Sequence, residues 1–156
     1  MSRMRRFCCA FWLGAAVLGF ALHPTSAADT LPGSQADDRI ARLENFFRAY
    51  HCPAPLLAAE YLAAADAYEV DYRLLPAVSV RESTCGRYAR RNNRWGWDSA
   101  QTGFRTLAHG IQFITHQLAF GQYYRGKTLE EKLRMYNPNP TYPAEIKKLM
   151  REIQSD

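Results

Sequence analysis

Glu82 has the surroundings in sequence that an acid catalyst needs. Leu75, Val78 and Glu82 are spaced three and four residues apart, so in a helix the carboxyl shares the face that carries apolar residues. Burial among apolar side chains disfavours a charged carboxylate, and the negative end of the helix dipole acts in the same direction at a last turn. Both effects favour a protonated group near neutral pH, which can donate a proton to a leaving oxygen.

The pattern around Glu82 also permits a plain interpretation. The side chain can lie at a solvent-exposed helix end, where it pairs with Arg81 or Arg87. A shift of one residue in the helix boundary separates the two arrangements, and boundaries are the least reliable part of a sequence-based assignment. Periodicity alone therefore leaves both open.

A second carboxylate is harder to find. Asp98 is the only acidic residue between Glu82 and Glu130, which makes it the candidate base or nucleophile for a reaction that needs two carboxyl groups. The alternative is that Asp98 stabilises a turn or caps a helix together with Ser99.

The elements before Glu82 are predicted to be helices. A first helix starts near Asp37, carries apolar residues at spacings of three and four, and must stop before Pro53. A second runs from about Pro55 to about Tyr68. Asp71 is expected to be the N-cap of the helix that ends at Glu82.

The second half begins with irregular chain. Residues 86–103 hold glycines and asparagines and predict a long loop or a small hairpin. A buried central helix should follow, ending near Gly121, with its apolar stripe at Leu107, Ile111, Ile114 and Leu118. Thr128 to Glu131 is a capping-box signature, and a last helix should begin near Pro143. We therefore predict an all-α domain of about six helices over residues 37–156.

Several segments resemble one superfamily. Residues 71–88, DYRLLPAVSVRESTCGRY, resemble the helix and turn of lysozyme-like cell-wall hydrolases, in which an apolar helix ends in Glu-Ser. Residues 93–97, NRWGW, are similar to the Asn-x-Phe-Gly-Trp segment of the bacterial glucosaminidase branch, whose members resemble mannosyl-glycoprotein endo-beta-N-acetylglucosaminidase. KTLEE at 127–131 and YNPNP at 136–140 continue the likeness in order, with Tyr142 beyond. The resemblance covers about residues 60–150.

The resemblance implies a lysozyme-like α domain that holds a peptidoglycan glycan strand in a groove. Glu82 would be the catalytic acid, and Tyr136 would approach the reacting sugar. The implied substrate-binding residues are Ser83, Trp95, Trp97, Asn137 and Tyr142. Aromatic rings suit sugars because their flat apolar faces stack on the sugar ring; filling the core is the alternative for the tryptophans, and we expect it of one of them.

Two departures from the superfamily affect these expectations. The Gly-Leu-Met-Gln segment of soluble lytic transglycosylases is absent, so the glucosaminidase-like branch fits better, while transglycosylation and the bond that is cut stay open. Cys85 stands where relatives carry an apolar or small residue, and we interpret it as half of a disulfide with Cys52. Two buried free thiols are the alternative.

The N-terminus predicts export. Arg3, Arg5 and Arg6 precede the apolar residues 7–22, and small residues follow at 24–28, as in a secretory signal peptide. A membrane anchor is the competing interpretation, but His23 and Pro24 cut the apolar run short of a span. We predict a signal peptide at residues 1–28, a flexible mature N-terminus at 29–36, and a periplasmic or secreted protein without a stable membrane anchor.

Removal of residues 1–28 also changes the charge balance. The chain has 20 basic and 15 acidic residues, and the leader holds three arginines and no acidic residue. The mature protein is therefore only slightly basic, and net charge gives no argument for nucleic-acid binding.

The histidines and a cluster of arginines bear on which functions remain possible. His109 and His116 are seven residues apart, whereas a zinc pair on a helix prefers three or four, so no metal or other cofactor is predicted. A basic cluster of Arg87, Arg90, Arg91 and Arg94 forms either a solvated loop or a contact with peptide-stem carboxylates or wall phosphates. Two classes remain: an enzyme that cleaves peptidoglycan, and a non-catalytic module that binds peptidoglycan or a partner in an envelope assembly.

Overall fold

The computed structural model describes residues 37–153, which contain six α-helices and no strand. The helices are α1 (Asp38–Ala49), α2 (Ala58–Ala67), α3 (Leu74–Ser83), α4 (Leu107–Phe120), α5 (Leu129–Tyr136) and α6 (Tyr142–Glu152). This confirms the predicted all-α class with about six helices. The predicted signal peptide at 1–28 and N-terminal segment at 29–36 lie outside the described residues.

Local capping explains where several helices begin. The Asp37 side chain accepts a hydrogen bond from the Arg39 backbone and starts α1. Thr128 and Glu131 form the predicted capping box of α5, each side chain bonding the backbone N–H of the other. The predicted starts of these two helices are confirmed because the capping residues sit next to strong amphipathic patterns.

The starts of α2 and α3 differ from the prediction. Leu57 has a left-handed backbone (φ 59°), so α2 begins at Ala58 and not near Pro55. The Asp71 carboxylate bonds the backbone N–H of Arg73 in a turn that precedes α3, and α3 begins at Leu74. Asp71 is therefore not the N-cap. Its side chain satisfies the turn before the helix instead.

The chain between α3 and α4, residues 84–106, is a long loop rather than a hairpin. Its regular part is one 3-10 turn, Trp97–Ala100, in which Asp98 and Ser99 have left-handed backbone angles. The predicted alternative of a small hairpin is thus not found among residues 37–153. Short polar side chains tolerate this backbone best, which explains why the turn forms here.

The core lies where α4 packs on α2 and α3 packs on α6. Trp95, which the loop contributes, is completely buried in it, and its indole N–H donates to the Tyr61 hydroxyl at 3.1 Å. A Cβ on Gly110 of α4 would come within 2.5 Å of the Trp95 ring. The helix can approach the ring this closely because Gly110 has no side chain.

Cys52 and Cys85 form a disulfide, with their Cα atoms 5.2 Å apart. The bridge joins the segment after α1 to the turn after α3, directly beyond Glu82. None of the helices in residues 37–153 combines the length and apolar character that a membrane-spanning helix needs.

Gly110→Ala tests the packing of the loop on α4. Alanine favours a helix by about 1 kcal/mol over glycine, but the new methyl group would overlap the buried Trp95 ring, and overpacking costs about 1–3 kcal/mol. We expect the free energy of unfolding to fall by about 1 kcal/mol in chemical denaturation. Gln112→Ala, an exposed change on the same helix, is the control and should be neutral; equal stability of both variants would contradict the packing.

The disulfide can be tested in the same assay. It closes a sequence separation of 33 residues, and such a bridge stabilises by about 2–4 kcal/mol by restricting the unfolded chain. A Cys52→Ser/Cys85→Ser variant should lose about that much free energy of unfolding, and wild-type protein in reducing agent should behave like it. An unchanged denaturation midpoint under reduction would show that the bridge does not form.

Candidate active site

The candidate site is a cleft of about 500 Å³ beside the last turn of α3. Its walls come from α3, the 3-10 turn of the loop, the segment after α4, and the end of α5 with the residues that follow. Five of the predicted site residues line this one cleft: Glu82, Trp97, Asp98, Tyr136 and Asn137. Segments that are far apart in the sequence therefore place these five predicted site residues around one cleft.

The Glu82 side chain is half-buried, and its Oε1 atom is buried without a hydrogen-bond partner. Arg81 does not pair with it but with Glu145 of α6. Arg87 donates instead to the carbonyl oxygen of His51 at 2.9 Å. The arrangement in which Glu82 is an exposed member of an arginine ion pair is thus not the one observed.

Gly96 covers the other carboxylate oxygen. It has a left-handed backbone (φ 64°), and a Cβ built there would lie 2.8 Å from Glu82 Oε2. A side chain at this position would therefore strain the backbone and displace the carboxyl group. The loop reaches the carboxyl because residue 96 is glycine.

Ser83 and Asn93 fasten the loop to α3. The Ser83 hydroxyl donates to the Arg94 carbonyl at 2.6 Å and accepts from the Gly86 N–H at 2.7 Å. The buried Asn93 amide bonds both the N–H and the carbonyl of Trp97, as well as the Thr102 carbonyl. Ser83 is itself buried, so the predicted substrate contact of Ser83 is replaced by a structural one.

The two tryptophans have different positions. Trp95 is 0% exposed and lies in the core, so it has no surface to offer a sugar, and the prediction that it lines the groove is wrong. Trp97 is half-buried in the cleft wall, with the rings of Phe113, Tyr124 and Tyr136 about it at centroid distances of 5.8–6.0 Å. One tryptophan was expected to fill the core, and the sequence left open which of the two it would be.

Tyr136 and Tyr142 stack in parallel behind Glu82, with ring centroids 6.1 Å apart. The Tyr136 hydroxyl donates to the Trp95 carbonyl at 2.6 Å. Burial, together with the nearby Glu82 carboxylate, raises the pKa of Tyr136 well above its usual value. Tyr136 thus joins the loop to α5 while lining the cleft.

Tyr142 is completely buried, so the predicted substrate contact is wrong for this side chain too. Its hydroxyl has no partner of good hydrogen-bond geometry. Burial, and then the charge of Glu82, raise the pKa of Tyr142. The Arg81 guanidinium lies 5.9 Å from the ring centroid, so Tyr142 is enclosed between Tyr136 and Arg81 with its hydroxyl in the field of Glu82.

Asp98 and Asn137 lie at the rim of the cleft. Asp98 is exposed, and its Oδ2 accepts a hydrogen bond from the Thr102 hydroxyl at 2.8 Å. Asn137 Oδ1 accepts from the Asn139 backbone N–H at 3.0 Å. Asp98 therefore belongs to a turn with Ser99, which was the predicted alternative to a catalytic role. Its side chain also lines the cleft.

The lining residues that were not among the predicted site residues are Gly96, Ser99, Thr102, Tyr123, Tyr124, Met135 and Pro138. For Tyr123 and Tyr124, the available signal was that two adjacent tyrosines follow Gly121 and Gln122 in a predicted loop, because exposed aromatic residues in a loop suggest a binding surface. Tyr124 is largely buried and Tyr123 is 62% exposed. Together with Trp97 and Tyr136, these two rings form an aromatic side of the cleft that reaches solvent. We call it the aromatic wall.

The described residues contain no group of three or more His, Cys, Asp or Glu side chains that could hold a metal ion. Comparison with known proteins adds no identification, because no protein-family model, no curated protein and no solved structure matches the chain.

Tyr142→Phe tests whether the buried hydroxyl is unpaired. Removing a buried group that lacks a partner relieves its desolvation cost, so we expect the free energy of unfolding to stay equal or to rise by up to about 1 kcal/mol. Tyr61→Phe is the matched control: it leaves the buried Trp95 N–H unpaired and should cost about 1–3 kcal/mol in the same denaturation assay. Equal losses in both variants would show that the Tyr142 hydroxyl has a partner.

Proposed function

We propose that the protein is a lysozyme-like glycosidase that cleaves the glycan backbone of peptidoglycan, with Glu82 as the general acid. It would act in the periplasm or outside the cell after removal of residues 1–28. The observation that carries the proposal is the Glu82 carboxyl group, which faces an aromatic cleft with one oxygen buried and without a hydrogen-bond partner. A carboxyl group that lines a cleft and forms no ion pair within residues 37–153 is placed to donate a proton to a glycosidic oxygen bound there.

Glu82 takes part in none of the ion pairs of residues 37–153. Arg81, its neighbour in sequence, forms its ion pair with Glu145 and not with Glu82. Both phenols, those of Tyr136 and Tyr142, are protonated at neutral pH, because an ordinary tyrosine has a pKa of about 10 and burial raises the pKa of Tyr136 and Tyr142 further. On proton transfer the Glu82 carboxyl group becomes a carboxylate and the leaving glycosidic oxygen becomes a hydroxyl, in a pocket where these two phenols stay neutral.

The aromatic wall suits a sugar ring. Trp97 presents a half-buried face in the cleft, and the exposed Tyr123 extends the wall toward solvent. Flat apolar faces stack on sugars, while the polar groups at the rim, Asn137 and Thr102, bond their hydroxyls. An uncharged, elongated glycan strand therefore fits the chemistry of this cleft better than a small anionic metabolite.

The second half of the reaction has two candidate routes. Asp98 lines the same cleft and could serve as base or nucleophile. Its bond to Thr102 and its place on an exposed turn favour a role in orientation. In the alternative route, that of a lytic transglycosylase, the hydroxyl or acetamido group of the substrate attacks, and no second carboxylate is needed. Reducing ends among the products, identified by mass spectrometry, indicate hydrolysis, and anhydro sugars indicate transglycosylation.

Glu82→Gln keeps the shape of the side chain but removes the acid. We expect clearing of peptidoglycan in a zymogram to fall by at least about a hundredfold, since a general acid contributes that much or more. Glu60→Gln, on α2 and away from the cleft, should clear like the wild type. Undiminished clearing by Glu82→Gln would refute the proposal, whereas binding to sacculi without clearing by any protein, wild type included, would support the non-catalytic module.

A further inference from the structure

Four exposed arginines occupy the loop that forms one wall of the cleft: Arg87, Arg90, Arg91 and Arg105. We call them the arginine face. The backbone brings two of its members together, because the Phe104 N–H donates to the Arg91 carbonyl at 2.9 Å and the Asn92 amide donates to the Arg105 carbonyl at 3.3 Å. Arg94, predicted as part of this basic cluster, does not belong to it: it is buried, and burial lowers the pKa of its guanidinium.

No carboxylate of the described chain pairs with the arginine face. The salt bridges of residues 37–153 involve other cations: Arg39, Arg48, Arg73, Arg81, Arg134 and Lys147. The sole acidic residue in the loop is Asp98, which bonds Thr102 at the cleft. Positive charge is therefore concentrated here without an internal counter-charge, which attracts an anionic ligand.

The arginine face lies within reach of a polymer bound in the cleft. Arg91 precedes Trp97 by six residues, a stretch that spans at most about 20 Å when fully extended. A peptide stem of about five residues on a glycan strand spans about 17 Å and ends in carboxylate groups. A stem attached to a sugar near Trp97 can thus place its carboxylates at the guanidinium groups, whose planar fork matches a carboxylate in a bidentate manner.

We propose that the arginine face binds the peptide-stem carboxylates of the glycan strand whose sugars enter the cleft. This inference rests on the proposed function and specifies its substrate: glycan that still carries stems. Sugars supply stacking in the cleft, and the stems supply charge pairing on the loop. Binding to stem-bearing glycan is consequently sensitive to salt, and binding to bare glycan is not.

The test compares Arg90→Gln/Arg105→Gln with Arg42→Gln/Arg48→Gln in the full mature chain. The first pair belongs to the loop and the second to α1, which contributes no residue to the cleft, and both remove two positive charges. All proteins, the reference included, carry Glu82→Gln so that the polymer stays intact, and circular dichroism checks their folds. Affinity is measured by co-sedimentation with peptidoglycan freed of wall phosphate polymers, and with glycan whose stems an amidase has removed, at low and high salt.

We expect the loop variant to bind stem-bearing glycan about two- to thirtyfold more weakly than the reference at low salt, which is the size of two exposed charge contacts. The difference should vanish at high salt and on stemless glycan, and the α1 variant should bind like the reference throughout. Equal binding by the loop variant, or an equal loss on stemless glycan, overturns the inference. A loss seen only with phosphate polymers assigns the arginine face to phosphate and also overturns it.

The two proposals fail in different ways. If the protein with native Glu82 clears peptidoglycan but the loop variant binds stem-bearing glycan as well as the reference does, only the assignment of the arginine face is wrong. If the protein neither clears peptidoglycan nor sediments with it, the proposed function is wrong and the inference is overturned with it.

Discussion

The attachment of the long loop to the last turn of α3 is the constraint on which the cleft depends. The loop has almost no regular structure, and yet it supplies one wall of the cleft and the glycine that touches Glu82. Ser83 bonds the Arg94 carbonyl, Asn93 closes the turn around Trp97, and Tyr136 holds the Trp95 carbonyl from α5. Removing any one of these hydrogen bonds would leave a buried polar group without a partner. Each of the three bonds therefore helps to hold the loop against α3 and α5.

The site also contains the polar atoms that the fold leaves unsatisfied. Among the described residues, the buried side-chain atoms without a hydrogen-bond partner are Glu82 Oε1 and the Tyr142 hydroxyl. Such groups are rare in folded proteins because they lose water without a replacement. Glu82 lines the cleft, and the pKa of the Tyr142 hydroxyl is raised by burial and then by the nearby Glu82 charge. Local departures of this kind from full hydrogen bonding accompany functional sites.

Much of the scaffold follows from local sequence, and much of the site does not. The stripe of α4 and the capping box of α5 predicted their helices because amphipathic spacing and capping act within a few residues. The start of α2 was missed because the left-handed Leu57 is not a residue type that announces such a backbone. Periodicity placed Glu82 on the apolar face of α3, but not which neighbours would reach it.

The positions of the side chains in the loop could not be predicted from the sequence. Trp95 and Trp97 are two residues apart in a segment without periodicity, so nothing local distinguishes the ring that enters the core from the ring that lines the cleft. That division is set by contacts with Tyr61 and Phe113, which lie far away in the chain. Likewise Tyr142 was expected to contact the substrate, and tertiary packing against Tyr136 buries it instead.

The positions of these two indoles have an optical consequence. Apart from Trp12, which lies outside the described residues, Trp95 and Trp97 are the only tryptophans of the chain. One is sealed in the core and reports the integrity of the fold through its emission, whereas the other faces the cleft and reports its occupancy. The protein thus carries two intrinsic fluorophores that separate unfolding from ligand binding without an added label.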